Sequence, residues 1–213
     1  MPCHLNTLNA QPTQRRIGLT GGIATGKTTV ADYLNTHYGL PILDADRYAR
    51  EAVQSESPIL SAIAERYSTE LLRPDGTLNR QRLGDIVFAD LTERRWLEEQ
   101  IHPFVCDRIH QDLQTHGQAP TVVLVIPLLF EAQMTDLVSE IWVVFCRPEQ
   151  QRQRLMTRNQ LTDAQAEARI QNQMPLSEKV SRATIALDNS SNLSTLLAQV
   201  DTILAHPPQF LCT

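Results

Sequence analysis

The sequence predicts an α/β fold in which helices cover both faces of a five-stranded parallel sheet. Five short stretches are continuously aliphatic and β-branched, as is typical of strands buried on both faces. Helical patterns separate these stretches, and such alternation favours a doubly wound sheet. A length of 213 residues suits one main core with an inserted or appended subdomain. The predicted strands span residues 16–20, 40–44, 121–126, 141–146 and 184–187.

The first predicted strand follows a polar leader and precedes a glycine-rich loop and a helix. Residues 1–15 contain no apolar segment of the secretory type, so we interpret them as a flexible leader. After the loop, apolar side chains recur every four residues from Val30 to Tyr38, and a glycine follows. This spacing predicts a helix over residues 28–38.

The loop itself, residues 21–28 (GGIATGKT), matches the phosphate-loop pattern G-x-x-x-x-G-K-[ST] between a strand and a helix. In this pattern backbone N–H groups surround phosphate oxygens, Lys27 reaches the β- and γ-phosphates, and the Thr28 hydroxyl is offered to Mg²⁺. A glycine-rich turn with a chance lysine is the alternative, but the chain has only two lysines. The predicted ATP contacts in the loop are Gly22, Ile23, Ala24, Thr25, Gly26, Lys27, Thr28 and Thr29.

Two carboxylates close the second predicted strand. Asp44 and Asp46 are two residues apart, so in extended backbone both side chains face the same way. Ligands of open α/β sheets bind at the carboxyl edge, where a carboxylate is able to orient an attacking hydroxyl or take its proton. Two interpretations stay open: Asp46 acts in the reaction, or it caps a helix that begins at Arg47. Asp44 is also a candidate to bind a metal-bound water.

The remaining chain divides into a helical insertion, a return to the sheet and a basic pair of helices. Residues 47–116 are too long for a simple crossover and carry helical periodicity of their own. The predicted nucleotide-binding core consists of residues 16–46, 117–146 and 183–205. Residues 147–182 hold seven basic and four acidic side chains in a chain of net charge −5. Such a run is usually a solvated surface, but together with the phosphate loop it favours a lid that closes over ATP.

Within this predicted lid, Arg154 and Arg158 are four residues apart on one helix and share a face. Thr162 with Gln165 predicts a capping box at the start of a second helix. Outside the lid, His102-Pro103 and Glu131 are weaker candidates for loop chemistry, because a histidine before a proline more often enters a helix.

The bulk composition excludes several classes of protein. An acidic net charge argues against a general nucleic-acid binder. No apolar run approaches the ~20 residues of a membrane span. The four cysteines form no C-x-x-C pair, so a zinc site is not predicted. We therefore expect a cytoplasmic protein with small-molecule substrates and neither nucleic acid nor membrane as partner.

Three functions stay open, two of them from the residues alone. A small-molecule kinase of the nucleoside or nucleotide type shares the phosphate loop and the arginine lid. A nucleotide-gated switch would bind ATP or GTP without a metabolite as acceptor, although the sequence lacks the N-K-x-D tetrad of a GTPase. The third function follows from a resemblance to a known family.

The sequence resembles the dephospho-coenzyme A kinases over residues 17 to about 200. The stretches that carry the resemblance are GLTGGIATGKT at 18–28, DAD at 44–46, DGTLNRQRLGDIVFAD at 75–90, HPFV at 102–105, PLLFE at 127–131, QRQRLMTRN and LDN at 187–189. The order of DGTLNR, HP and PLLFE is far more specific than the phosphate loop, which many families share.

The resemblance implies a P-loop kinase-like three-layer α/β/α fold and transfer of the ATP γ-phosphoryl group to the ribose 3′-hydroxyl of dephospho-coenzyme A, the last step of coenzyme A synthesis. It implies Mg²⁺ at Thr28, and a monomer or small homo-oligomer. It also implies catalytic roles for Asp46 as base, Lys27 and Arg154, and ATP contacts from Arg154 and Arg158 on the lid. The acceptor contacts that it implies are Asp46, His102, Pro103, Leu128 and Glu131, in a helical acceptor domain at 47–116 and the PLLFE stretch.

One residue departs from the family's pattern. Ala24 stands where the family's loop more usually has glycine. Because the position is an x of the motif, we expect backbone angles that tolerate a methyl group.

Overall fold

The computed structural model describes residues 14–206, and five strands form one sheet in the order β2-β3-β1-β4-β5. This confirms the predicted sheet. Of the predicted leader, residues 1–15, the first 13 lie outside the described residues. The first strand begins at Arg15. The strands are β1 Arg15–Gly21, β2 Ile42–Asp44, β3 Thr121–Val125, β4 Glu140–Phe145 and β5 Ile185–Asp188.

Strand β1 lies in the middle of the sheet and pairs in parallel with β3 on one side and β4 on the other. Ile17 of β1 is opposite Val123 of β3 and Glu140 of β4. The chain runs from β1 to β2 on one side of the sheet, returns to β3, and then passes across β1 to β4 on the other side. The direction of winding therefore reverses at β1. Ligands of open parallel sheets bind outside the carboxyl ends of the strands at such a reversal. The phosphate loop follows β1 directly.

Nine α-helices connect or follow the strands within residues 14–206, and two short 3₁₀ helices lie at Thr69–Leu71 and Thr135–Leu137. The helices are α1 Lys27–Tyr38, α2 Ala45–Glu51, α3 Pro58–Tyr67, α4 Arg80–Ala89, α5 Leu91–Thr115, α6 Pro148–Asn159, α7 Asp163–Gln171, α8 Leu176–Ser181 and α9 Leu193–Ala205. Among these described helices none is both long enough and apolar enough to cross a membrane.

The described chain consists of two compact units. The first unit comprises residues 14–43 together with 116–206, and the second comprises residues 44–115. Residues 147–182, the predicted lid, belong to the first unit. The division of the chain into core, acceptor domain and lid itself stays a prediction.

The core of the first unit lies between the sheet and helices α1 and α9. Burial of these apolar side chains, at roughly 25 cal/mol for each Å² removed from water, is the main force that holds the sheet to its helices. The fully or nearly buried members are Ile17, Leu19, Val30, Ala31, Leu34, Val123, Val125, Trp142, Val144, Leu187, Leu196 and Val200.

The second unit has a separate core formed by its helices. Pro58 starts α3 at a position where its missing N–H has no helical partner to lose, and the side chain of Ser57 caps the same helix through Leu60 N. The buried members of this core are Ala52, Val53, Leu60, Ile63, Leu71, Leu78 and Leu83, with Trp96, Leu97 and Phe104 packed against them.

Three local features bear on the predictions made from the sequence. The capping box of Thr162 and Gln165 is confirmed at the start of α7. The interpretation of His102 as a helix-entry residue was wrong, because His102 and Pro103 both lie inside α5, a helix of 25 residues in all. Its buried side chains Val105 and Ile109 lie beyond the proline and hold the second half of the helix in the core. Helix α8 is a third helix within residues 147–182, where the sequence predicted two.

Candidate active site

The phosphate loop turns sharply between β1 and α1 and is in close contact with the neighbouring strands. Gly21 has φ of 148° and Gly26 has φ of 109°, both outside the range that side chains readily adopt. A Cβ at Gly21 would overlap the carbonyl oxygen of Val144, and one at Gly26 would overlap the side-chain amide of Asn189. Glycine is therefore required at both positions.

Ala24 lies in the loop with φ of 61°, in the left-handed region. The expectation of backbone angles that readily tolerate a methyl group was therefore wrong. A Cβ in this region approaches the following carbonyl oxygen and is disfavoured by roughly 1–2 kcal/mol relative to right-handed backbone. Glycine, which has no Cβ, would lack this strain.

Lys27 is the first residue of α1, and its side chain folds back over the loop. Its Nζ donates hydrogen bonds to the carbonyl oxygens of Gly21, at 3.1 Å, and Gly22, at 2.7 Å. Thr28 and Thr29 follow in the first turn of α1 and are exposed. A lysine charge, two exposed hydroxyls and the positive end of a 12-residue helix are thus gathered at one place.

Three neutral amide side chains fix the phosphate loop from outside. The buried side chain of Gln151 on α6 donates from Nε2 to the carbonyl oxygen of Ile23, at 2.9 Å. Gln173, between α7 and α8, accepts from the N–H of Ile23 at 2.9 Å. Asn189, just after β5, donates to the carbonyl oxygen of Thr25 at 2.7 Å. Both backbone polar groups of Ile23 are therefore held by side chains from residues 147–182.

The two predicted lid arginines lie on α6. Arg154 donates from Nη2 to the carbonyl oxygen of Asn189 at 3.1 Å, so it is joined to the loop through the residue that holds Thr25. Arg158, one turn later, is exposed and bonds to the side chain of Asn159 at 2.9 Å. Arg154 is thereby fixed beside the loop, whereas Arg158 extends from the exposed end of its helix.

Lys179 is the second lysine of the chain and is fully buried on α8. Its Nζ lies 2.8 Å from Oε1 of Glu131 and donates to the carbonyl oxygen of Pro127 at 3.1 Å. The same carboxylate oxygen accepts from the N–H of Met174 at 3.0 Å, next to Gln173. This ion pair joins the turn after β3 to the segment that holds Ile23.

Glu131 and Leu128, predicted as acceptor contacts, both lie in the turn over residues 127–133. Leu128 is half-buried, and its carbonyl oxygen accepts from the N–H of Ala132 at 2.8 Å. Oε1 of Glu131 faces Lys179, whereas Oε2 is buried with no hydrogen-bond partner among the described residues. The carboxylate therefore has a structural partner, and its second oxygen has unused capacity to accept a hydrogen bond.

In the second unit, Asp44 and Asp46 do not lie on one face of a strand as predicted, because β2 ends at Asp44. Asp44 is the N-cap of α2, and its Oδ1 accepts from the backbone N–H groups of Asp46, at 2.9 Å, and Arg47, at 3.4 Å. The helix begins at Ala45, so the prediction of two carboxylates on one face of extended backbone was wrong. The capping role belongs to Asp44, and Asp46 is an exposed acid in the first turn.

His102 and Pro103 also lie in the second unit, inside helix α5. His102 is half-buried, and its Nδ1 lies 3.6 Å from Sγ of Cys106, one helical turn later. Pro103 is exposed. The structure places Asp46, His102 and Pro103 in one unit, and Lys27, Arg154, Leu128 and Glu131 in the other.

The residues around Thr28 suit a magnesium ion held mainly by phosphates. Mg²⁺ keeps several waters and takes one or two protein oxygen ligands together with substrate phosphates. The exposed Thr28 hydroxyl beside Lys27 offers one such oxygen. Among residues 14–206 no group of three or more His, Cys, Asp or Glu side chains is arranged to hold a metal ion without a nucleotide.

Sequence reasoning missed Gln151 and Gln173 and the burial of Lys179. Glutamines at these positions give no sequence signal, because their role depends on contacts with Ile23, more than 120 residues earlier. Lys179 was counted as part of the basic lid. Its rarity, as one of two lysines in the chain, was the one available sign of a special position. Asn189 was included only through the LDN stretch.

Comparison with known proteins gives one consistent family. The family model CoaE, described as dephospho-CoA kinase, matches residues 15–195. The dephospho-CoA kinase of Trichormus variabilis is 60% identical over 192 residues, which cover 90% of this chain and 97% of that protein. The dephospho-CoA kinase of Synechocystis is 58% identical over 189 residues, which cover 89% and 94%.

Solved structures agree on the fold. TT1252 from Thermus thermophilus is 34% identical, has a TM-score of 0.75, and the match covers 90% of this chain and 96% of that one. The dephospho-CoA kinase from Campylobacter jejuni is 24% identical with a TM-score of 0.67, over 89% and 95%. A shikimate kinase from Bacteroides thetaiotaomicron, at 14% identity and a TM-score of 0.51, shares the fold alone.

Proposed function

The chain belongs to the dephospho-CoA kinase family, and from that membership we propose that it transfers the γ-phosphoryl group of ATP to the ribose 3′-hydroxyl of dephospho-coenzyme A. The products are coenzyme A and ADP, so the reaction completes coenzyme A synthesis. The observation that carries the proposal is the family match over residues 15–195, which includes the intact phosphate loop between β1 and α1.

On the donor side, the loop supplies fixed hydrogen-bond donors and charge. The N–H of Ile23 already donates to Gln173 and that of Thr25 to Gly22, so the other backbone N–H groups of the loop and of the first turn of α1 surround the phosphates of ATP. Lys27 exchanges its bonds to the Gly21 and Gly22 carbonyls for the β- and γ-phosphates. Arg154 and Arg158 neutralise charge that grows on the γ-phosphoryl group during transfer. Charge stabilisation of this kind is worth on the order of 10³-fold or more in related systems.

On the acceptor side, Asp46 aligns the ribose hydroxyl for in-line attack and accepts its proton. This role comes with the family's motif. It is supported by the exposure of Asp46 in the first turn of α2 and by the separate use of Asp44 as the cap. His102, Pro103, Leu128 and Glu131 are proposed to line the acceptor.

The proposed cofactor is Mg²⁺, for which the Thr28 hydroxyl is the protein ligand. When bound, the ion would neutralise negative charge on the phosphates and so lower the barrier to transfer. The cytoplasmic location, and a monomer or small homo-oligomer as the working state, stay predictions.

The first test is conversion of dephospho-coenzyme A by the purified chain with Mg²⁺ and ATP, with the product identified by mass spectrometry. We expect coenzyme A to form only when both substrates are present. Lys27→Ala and Asp46→Asn should each lower kcat by about 10²–10⁴-fold, since each removes a charge from the reacting groups.

Asp44→Asn is the matched control, because it makes the same chemical change two residues away and asparagine also caps helices well. We expect it to change kcat little. If wild-type protein bound ATP but left dephospho-coenzyme A unmodified, the proposed acceptor would be wrong. Near-normal turnover of Asp46→Asn would remove its assigned role, whatever the acceptor.

A further inference from the structure

A polar cavity of about 530 Å³ lies wholly within the second unit. Its volume falls in the range of small-molecule sites, roughly 300–1,000 Å³. Two arginines, one aspartate, three neutral polar residues and two apolar residues form its wall. The lining residues are Val53, Gln54, Ser55, Arg73, Asp75, Thr77, Leu78 and Arg80, and we call this the arginine cavity.

The cavity has an excess of positive charge. Burial lowers the pKa of Arg80, and the nearby charges of Arg50 and Arg73 lower it further, so three guanidinium groups lie close enough to repel one another. None of the three forms an ion pair within 4.0 Å among the described residues. Clustered arginines without a carboxylate partner are destabilised unless an anion binds them.

Asp75 offsets only part of this charge. Its Oδ1 already accepts from both the N–H and the hydroxyl of Thr77, at 2.9 and 2.6 Å, and these bonds, with the charge of Arg73, hold its pKa below the usual range. Asp75 thus shapes the turn over residues 73–77 and stays ionised. Two positive charges remain in excess around the cavity.

Helix α2 connects this cavity to the residue that is proposed to align the acceptor. Arg80 donates from Nη2 to the carbonyl oxygen of Arg50, at 3.1 Å. Arg50 follows Asp46 by four residues on α2, one helical turn or about 6 Å along the axis. In dephospho-coenzyme A, the 3′-hydroxyl and the 5′-diphosphate are carried by one ribose, so the groups that bind them must be similarly close.

We propose that the arginine cavity binds the 5′-diphosphate of the acceptor through the side chains of Arg73 and Arg80. Guanidinium groups match phosphate oxygens with paired hydrogen bonds, and the Ser55 hydroxyl supplies a neutral donor beside them. The diphosphate then holds the ribose at the level of Asp46. This inference rests on the proposed function, because it takes dephospho-coenzyme A as the ligand.

The test is calorimetric titration of the full chain with dephospho-coenzyme A, with a non-hydrolysable ATP analogue and Mg²⁺ present so that the phosphate loop is occupied. Arg73→Gln and Arg80→Gln should each raise Kd about tenfold or more, as loss of a charged hydrogen bond does. Arg73→Gln is the cleaner variant, because Arg80 also bonds to Arg50. Adenosine, which has no diphosphate, should bind all variants equally.

Arg95→Gln is the matched control, because Arg95 is exposed on α5 in the same unit and does not line the cavity. It should leave Kd within about twofold of wild type, as expected for a screened surface charge. In the same titrations, inorganic pyrophosphate should compete with dephospho-coenzyme A in wild type.

The outcomes separate this inference from the proposed function. Unchanged Kd in Arg73→Gln and Arg80→Gln, with conversion of dephospho-coenzyme A intact, overturns the inference alone. Pyrophosphate binding that depends on the arginines, without any effect on dephospho-coenzyme A, makes the cavity a site for free anions and also overturns it. Arginine-dependent binding without conversion supports the inference and overturns the proposed function. No binding to wild type overturns both.

Discussion

The two units of this protein place their polar side chains in opposite ways. Five polar or charged side chains are buried among the described residues, and all five belong to the first unit: Thr20, Thr25, Glu140, Gln151 and Lys179. In the second unit, seven ion pairs of arginines with carboxylates are exposed or half-buried. The first unit therefore takes charges and amides into its interior, and the second keeps them at its surface.

The buried polar side chains of the first unit indicate where the protein needs a fixed geometry. A polar group is buried at a net cost unless it is hydrogen-bonded, so burial of four such groups around one loop indicates a demand other than stability. Thr20 bonds to Pro127, Thr25 to Gly22, Gln151 to Ile23, and Lys179 to Glu131. All of these partners lie in the phosphate loop or the turn after β3. Surface ion pairs, by contrast, contribute ~0–1 kcal/mol and leave their side chains adaptable.

The largest loss of stability is expected when the buried ion pair of the first unit is disrupted. Lys179→Met leaves the carboxylate of Glu131 without its counter-ion in a buried setting, and removal of one partner of a buried pair costs about 3–5 kcal/mol. Urea unfolding should show this loss, and the Km for ATP should rise because Glu131, which accepts from the N–H of Met174 next to Gln173, loses the cation that fixes it.

The double variant Lys179→Met with Glu131→Gln should recover part of the stability, since no unpaired charge remains. Arg66→Gln is the surface counterpart, because the Arg66 side chain is 36% exposed, whereas that of Lys179 is fully buried. If Lys179→Met lowered stability no more than Arg66→Gln does, the contrast between the two units would be wrong.

A smaller change in stability is expected for a substitution in the phosphate loop itself. Ala24→Gly removes the strain of a left-handed alanine, and the gain exceeds the added freedom of the unfolded chain. We expect the free energy of unfolding to rise by about 0.5–1 kcal/mol. Ala198→Gly, on an exposed helical position of α9, should instead lower it by roughly 1 kcal/mol. If both substitutions destabilised the protein, the proposed strain at Ala24 would be wrong.

The smallest effect concerns the surface charges of the second unit. Hydrogen bonds from Arg66 and then Tyr67 lower the pKa of Glu93 from 4.5 to about 2. Because the folded-state pKa is lowered, the stabilising contribution is full above pH 4.5 and is lost as the pH falls towards 2. The difference in stability between wild type and Glu93→Gln should therefore shrink from pH 6 to pH 3 in urea unfolding. A constant difference would show that the carboxylate charge has no part in it.

Most of the fold was predictable because its signals are local. Each predicted strand overlaps an observed one, and in β3 every residue after the first is buried, as a continuous aliphatic run predicts. Helix α2 was misjudged because Asp44 bonds to the backbone of Asp46 and Arg47, and this cap ends the extended backbone two residues early. Helix α5 was less clear because its proline is tolerated through burial of Val105 and Ile109.

The candidate site was predictable only where chemistry follows a fixed spacing. The phosphate loop carries its own pattern, so Lys27 and Thr28 followed from eight residues of sequence. Gln151, Gln173 and the Lys179–Glu131 pair depend on contacts between segments far apart in the chain, and their residue types are common in solvated helices. Charge counting therefore assigned Lys179 to a flexible basic surface, although it is the most deeply buried cation of the described chain.

The side chains that brace the phosphate loop are all carboxamides. Gln151, Gln173 and Asn189 do not titrate, and they bring no charge of their own to the anion that the loop receives. These three bonds are thereby insensitive to pH and to ionic strength across the range in which the protein is folded. The salt dependence of nucleotide affinity is then expected to originate in Lys27 and the arginines of α6, so the slope of affinity against salt concentration counts the cations that contact the phosphates.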